Sequence, residues 1–290
     1  MKTTRTGNFA IGFRRGWSDW QKNLPALLAW ARQAGLGVID LGNDADTTAK
    51  QVSDAGLKVG SADLKDWGAL LSPDAGKRKD AVAKNAEYVK AAAAAGAKSY
   101  FICLLPEKPE LKRSENFAFA VESFNQLAPA LEKAGAAVVI EGYPGNGALV
   151  CTPEGYREFF KQAPSKSMAI NYDPSHLIRM GIDPIRFLNE FGPRVRHVHG
   201  KDTEVFAENL YEFGHEQPAT FANPRGFGGW AWRYAIPGHG NMRWTEAFKI
   251  LKSHNYQGAV SIELEDDQFN GSEEGEKTGL VLGAQFLEGC

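Results

Sequence analysis

The chain has 290 residues, 43% of them hydrophobic and 23% charged, with a formal net charge of −2 at pH 7. It is long and apolar enough to bury a core without covalent staples, and it lacks the basic stripe that a nucleic-acid or anionic-membrane partner requires. Three widely spaced cysteines, Cys103, Cys151 and Cys290, read as reduced thiols of a cytoplasmic protein, and no run approaches the ~20 apolar residues of a membrane helix.

One pattern recurs along the chain. An amphipathic stretch closes on Ala-Gly or a similar turn, and a short β-branched run follows; glycine just past a helix takes the left-handed conformation that ends it. Residues 9–13 read as strand one and are too short for a signal-peptide core. A helix over 24–34 ends at Ala34-Gly35, before strand two at Val38-Ile39-Asp40-Leu41. Ala55-Gly56 precedes strand three, which starts Leu57-Lys58-Val59. A helix over 76–95 ends at Ala95-Gly96, before strand four at Tyr100-Phe101-Ile102. A helix over 114–134 ends at Ala134-Gly135, before strand five at Val138-Val139-Ile140. Thr152-Pro153 and Asp183-Pro184 each offer a capping side chain and then proline at the first helical position, which starts helices over 153–163 and 184–191. Strand six lies at 168–173, and strand seven, after Gly192-Pro193, at 195–199. Residues 203–243 read as a long irregular loop dense in aromatics and glycine, the kind that covers an active site. A helix over 244–254, strand eight at 259–263 and a helix over 273–288 complete the chain.

Eight strands alternating with helices suit either a doubly wound sheet or a closed barrel. No GxGxxG motif opens a helix after strand one. With the count of eight, that absence predicts an α/β fold: a single (β/α)8 TIM barrel over residues 1–290, with a long loop after strand seven.

Barrel chemistry sits at the C-terminal ends of the strands. Strand five ends at Glu141, strand six at Asp173, strand seven at His199 and strand eight at Glu263. Any one of these could be a solvated rim residue. Together, three carboxylates and an imidazole would repel unless an ion balanced them, and they suit one divalent metal ion, Mn²⁺ or Mg²⁺ first, with Co²⁺ and Zn²⁺ as further candidates. His197 shares the face of His199 but lies deeper, as a hydrogen-bonded core histidine would. His176, three residues past Asp173, stands where it could touch substrate or orient the metal shell. Lys201, Asp202, Arg233 and His239 are candidates to bind substrate oxygens. Trp230, Trp232 and Phe227 either stack on a sugar or bury the loop. Arg14 and Arg15 follow strand one, where a phosphate or carboxylate could meet them, and Trp67 and Glu107 are rim candidates. Gly226, Gly228 and Gly229 lie where barrels often hold phosphate.

Glu141, Asp173-x-x-His176, His199-Gly200-Lys201-Asp202, Pro237-Gly238-His239-Gly240 and Ser261-Ile262-Glu263 together resemble the xylose isomerase-like barrel superfamily of sugar phosphate isomerases and epimerases. The resemblance runs from about residue 9 to the C-terminus, and its second half is the specific part. It implies a divalent metal held by Glu141, Asp173, His199 and Glu263, with Glu141 and Glu263 doubling as the acid/base pair. It implies an isomerase or epimerase working through an enediolate on a ketose, keto-sugar or sugar phosphate. The same metal site also serves inosose dehydratases and lyases, including those that cleave C-glycosides or 3-keto-glycosides, so that reading stays open, as does a non-catalytic sugar-binding protein. Relatives often form homo-oligomers. Endonuclease IV is a poor match, because strands three and four end in Ala62-Asp63 and Cys103-Leu104, without the histidines of its three-metal cluster.

Overall fold

The computed structural model describes residues 1–216 and 218–290; residue 217, inside the long loop, lies outside the described residues. In chain order, β1 (Ile11–Arg14) leads through α1 (Asp19–Lys22) and α2 (Leu24–Gln33) to β2 (Val38–Leu41), and α3 (Ala45–Asp54) leads to β3 (Lys58–Asp63). Next come α4 (Trp67–Leu70), α5 (Ala75–Ala94), β4 (Ser99–Cys103), α6 (Arg113–Ala134), β5 (Ala137–Glu141), α7 (Pro153–Gln162) and β6 (Met168–Tyr172). Then follow α8 (Pro174–Arg179), α9 (Pro184–Phe191), a single 3-10 turn, β7 (Val195–Gly200), β8 (Asp202–Val205), α10 (Ala207–Phe213) and β9 (Trp232–Ala235). The chain ends with α11 (Trp244–Ser253), β10 (Val260–Ile262) and α12 (Glu273–Gly289). Eight strands form a closed barrel in the order β1-β10-β7-β6-β5-β4-β3-β2, while β8 and β9 make a separate antiparallel pair.

The local chemistry accounts for these elements. Gly35, Gly56, Gly96 and Gly135 all carry positive φ just beyond α2, α3, α5 and α6, the left-handed residue that closes a last helical turn. Thr152 accepts a hydrogen bond from Gly155 N, and Asp183 from Ile185 N and Arg186 N, capping α7 and α9. Every residue of β5 and β6 is buried, as expected for parallel strands covered on both faces.

The chain divides into two compact units. In the unit made of Asp40–Tyr172 and Arg194–His197, β3, β4, β5 and β6 lie side by side in parallel register, with Cys103 opposite Glu141 and Glu141 opposite Asn171. Phe101, Cys103, Ala137, Val139 and Ala169 form one of its apolar clusters, against which Trp67 and Leu105 pack. In the unit made of Met1–Ile39, Asp173–Pro193 and Val198–Cys290, β10 sits between β1 and the end of β7, pairing Phe13 with Ile262 and His199 with Ser261. Those pairings deliver Arg14, His199 and Glu263 to neighbouring strand ends. The cysteines are free and buried. No helix among the described residues is long and apolar enough to cross a membrane.

The stretch expected to be an irregular loop is more ordered than its composition suggests. Thr203 pairs with Tyr234, Glu204 with Arg233 and Val205 with Trp232 across the β8–β9 ladder. The period-two pattern of those strands is split by some two dozen intervening residues, so it does not read as a hairpin in the sequence. α10 buries none of its residues.

Candidate active site

Asp173 closes β6 and caps α8 at once. Its Oδ1 accepts from Ser175 N at 2.9 Å and Ser175 Oγ at 2.6 Å, which turns Oδ2 the other way. That oxygen is buried and accepts no hydrogen bond among the described residues. Around it stand Lys201 Nζ at 3.2 Å, His176 Nε2 at 3.4 Å and His199 Nδ1 at 4.0 Å. Asp173, His176 and Glu263 each present a ligand atom within 4.8 Å of the others. Two carboxylates and an imidazole, one carboxylate oxygen of them without a donor, fit a divalent cation.

His176 Nδ1 lies 2.7 Å from the Tyr234 hydroxyl, which also accepts from Arg179 Nη1 at 2.6 Å. The tautomer with its proton on Nδ1 leaves a lone pair at Nε2, facing Asp173, as a ligating histidine needs. Burial pushes the Tyr234 phenol well above its usual range, so it stays protonated.

Glu263, just past β10, is where the charges converge. Arg14 Nε is 3.2 Å from its Oε1 and His199 Nδ1 is 3.4 Å from its Oε2. Lys201 donates to Oε2 as well, and reaches Glu265 Oε2 at 2.9 Å. Burial alone would raise the Glu263 carboxyl, but Lys201, His199 and Arg14 together hold it well below the usual carboxylate range. Lys201 is itself buried, its ammonium 4.5 Å above the Tyr234 ring.

In the other unit, Glu141 ends β5 buried, with Asn171 Nδ2 donating to its Oε1 at 3.2 Å. His197 bonds Asp40 Oδ2 at 2.8 Å, and Asp40 Oδ1 accepts from Ser61 N. It is thus the hydrogen-bonded core histidine that its depth along the strand predicts. Trp67 Nε1 donates to Leu64 O, and Glu107 accepts from Ser72 and Lys77.

The residues proposed to hold substrate divide into two groups. His176 and Lys201 lie in the charged cluster, and Trp232 lies beside it, its ring 4.9 Å from Tyr234 with Arg179 stacked over it at 4.5 Å. Asp202 and Arg233 have other work. Asp202 accepts from Thr203 N, Gly238 N, Met242 N and Trp244 Nε1, so its carboxylate is filled by protein donors and ties down the loop. Arg233 is buried, pairing with Glu204 at 2.9 Å and Asp266 at 2.8 Å. His239 is exposed and faces the Phe269 ring at 5.9 Å. The glycine run is spent on backbone packing: a Cβ on Gly228 would lie 2.5 Å from Trp232 O, and Gly229 N bonds that same oxygen. Trp230 donates to Ala222 O and so packs the loop on itself.

Tyr234, Arg179 and Glu265 were not legible as site residues. Tyr234 arrives on a hairpin strand, and Arg179 lies one helical turn beyond His176, a spacing that would have flagged it had α8 been anticipated.

Residues 26–290 match a family model described as a xylose isomerase-like TIM barrel. Over 164 residues the chain is 31% identical to the uncharacterized protein YfiH of Bacillus subtilis (strain 168), covering 54% of this chain and 50% of that protein. It is 27% identical over 153 residues to the inosose dehydratase of Clostridium beijerinckii (strain ATCC 51743 / NCIMB 8052), covering 53% and 48%. The chain thus spans about half the length of the curated relatives it matches. A solved D-psicose 3-epimerase, crystallised in the presence of D-fructose, superposes with a TM-score of 0.71 at 17% identity over 97% of this chain and 100% of that one. At that identity the likeness concerns the fold alone.

Proposed function

Because this chain belongs to the xylose isomerase-like TIM barrel family, we propose that it is a divalent-metal-dependent enzyme that moves a proton next to the carbonyl of a ketose or keto-sugar, as an isomerase or epimerase. The observation that carries the reading is the buried Asp173 Oδ2, which accepts no hydrogen bond among the described residues, on a carboxylate that offers a ligand atom within 4.8 Å of those of His176 and Glu263. The proposed ligands are Glu141, Asp173, His199 and Glu263, with Mn²⁺ or Mg²⁺ first and Co²⁺ or Zn²⁺ next, and His176 now joins them as a fifth candidate. Three buried free cysteines fit a reducing cytoplasm.

When bound, the cation would polarise the sugar carbonyl and acidify its neighbouring C–H, a contribution of several kcal/mol. The remaining work falls to the chain itself. Glu263, held ionised by Lys201, His199 and Arg14, removes the proton. Glu141, the second carboxyl, returns one: to the opposite face for epimerisation, or to the adjacent carbon for isomerisation. Lys201 steadies a substrate hydroxyl as the charge shifts. Trp232 and Tyr234 keep water from the reacting carbon.

A second reading, dehydratase or lyase, is supported by the similarity to inosose dehydratases and by the Lys201 ammonium beside Glu263, a group able to give a proton to a departing hydroxyl. Metal-loaded protein incubated in D₂O with ketohexoses and with inosose, followed by NMR, separates the two. Deuterium at an α-carbon without elimination is expected from the first reading, and an enone from the second. Glu263→Gln is expected to slow either reaction about 100-fold or more. Deuterium uptake unchanged in Glu263→Gln would remove Glu263 from the chemistry.

A further inference from the structure

A cleft of about 320 Å³ lies beside Glu263, within a single unit of the chain, lined by Arg14, Trp17, Gln21, Phe227, Glu263 and Asn270 among others. We infer that this cleft is a subsite for a second, uncharged sugar ring, so that the enzyme's substrate is a glycoside rather than a free or phosphorylated monosaccharide. The inference rests on the proposal that the reacting sugar sits at Glu263.

Size is the first argument. Pockets that hold small molecules run from roughly 300 Å³ upward, so the cleft has room for a sugar ring beside Glu263. Its walls are the second. Trp17 is 83% exposed and Phe227 44%, an unusual outlay of aromatic surface for two residues that line one cleft. Phe227 also holds φ +49°, a left-handed backbone that bulky residues rarely adopt. Its carbonyl is pinned by Tyr234 N at 2.9 Å. Exposed rings of this kind pack against the C–H face of a sugar.

Charge is the third argument, and it turns against phosphate. Arg14 is paired with Glu263, and Arg15 spends Nε and Nη2 on the carbonyls of Gln21 and Lys22, each at 3.0 Å. Meanwhile Glu263, Glu265 and Glu276 all line the cleft. A phosphate would meet three carboxylates and an Arg15 already engaged with backbone carbonyls, whereas a neutral ring meets hydrogen-bonding groups. The floor is also preformed: Glu276 Oε2 accepts from Ser18 Oγ, Trp20 Nε1 and Gln21 Nε2, and Gln21 Oε1 receives Gly16 N at 2.6 Å. Segment 16–21 therefore needs little ordering when a ligand arrives.

The test is calorimetric titration of the full chain with glucose, glucose 6-phosphate, cellobiose, maltose and trehalose, none of which needs turnover to be read. At least one disaccharide is expected to bind about tenfold or more tighter than glucose, with glucose 6-phosphate no tighter than glucose. Trp17→Ala is expected to bring the disaccharide-to-glucose ratio to about one, and Trp17→Phe to restore most of it. A best disaccharide less than tenfold ahead of glucose, a preference for the phosphate, or a ratio untouched by Trp17→Ala each overturns the inference. Failure of the D₂O experiment with binding preserved would instead strike the proposed chemistry and leave the second subsite standing.

Discussion

Asp173 carries two duties on two oxygens, and substitutions can separate them. Oδ1 caps α8 through Ser175, while Oδ2 faces the nitrogens of His176 and Lys201. Asp173→Asn keeps an oxygen for the cap, whereas Asp173→Ala keeps neither function. Loss of a cap costs about 1 kcal/mol. Urea unfolding should therefore rank Ala about 1 kcal/mol below Asn, and mass-spectrometric metal analysis should find both without ion. Stoichiometric metal in Asp173→Ala would mean the ligand set is wrong. The positions of Asp173 and Glu263 just past β6 and β10 were readable from sequence, because a β-branched run marks where a barrel strand ends. Asp202 follows β7 like a site residue, yet Thr203 and the segment from Gly238 to Trp244 already donate to its carboxylate. Sequence order reports where a side chain starts, not how many donors already surround it.

The helices and barrel strands were legible almost throughout, since glycine stops, proline starts and β-branched runs are local signals. What escaped were the short helices α1, α4, α8 and α10, with α8 hidden behind a residue assigned to chemistry, and the β8–β9 pair, whose partners lie far apart in sequence. The hairpin depends on close backbone approach. A Cβ on Gly240 would stand 2.3 Å from Asp202 Oδ1 and 2.6 Å from Thr203 O, so Gly240→Ala should loosen the loop, read as faster limited proteolysis within 206–230 while the barrel's circular dichroism is kept. A second tie holds α12 to segment 18–21 through Glu276. Burial would raise that carboxyl, but Ser18, Gln21 and Trp20 hold it below its ordinary value of 4.5. A depressed carboxyl stabilises the fold above its unfolded pKa, and the benefit fades as pH falls through the folded one. Glu276→Gln should therefore cost about 1–2 kcal/mol at pH 7. That gap should narrow in unfolding curves recorded progressively below pH 4.5.

Among the described residues, the apolar cores of both units are built mainly from aliphatic and aromatic side chains, which offer a metal no ligand. Metal should thus add stability by mass action alone, about 2.7 kcal/mol at a free concentration 100 times its Kd. Thermal scans with Mn²⁺ and with chelator should differ by that much and show the same helical content; collapse on chelation would make the ion structural. Lys201 adds a practical consequence. Its ammonium, anchored between Asp173 and Glu263, serves as a built-in counterion, so under the proposed metal dependence a preparation stripped of its ion would keep part of its local charge balanced. Such a batch would elute and scatter like a healthy one, and only the assay would fall silent. If the proposed metal dependence holds, inactive fractions regain activity on addition of a divalent salt, and fractions that stay inactive with every divalent ion tried speak against it.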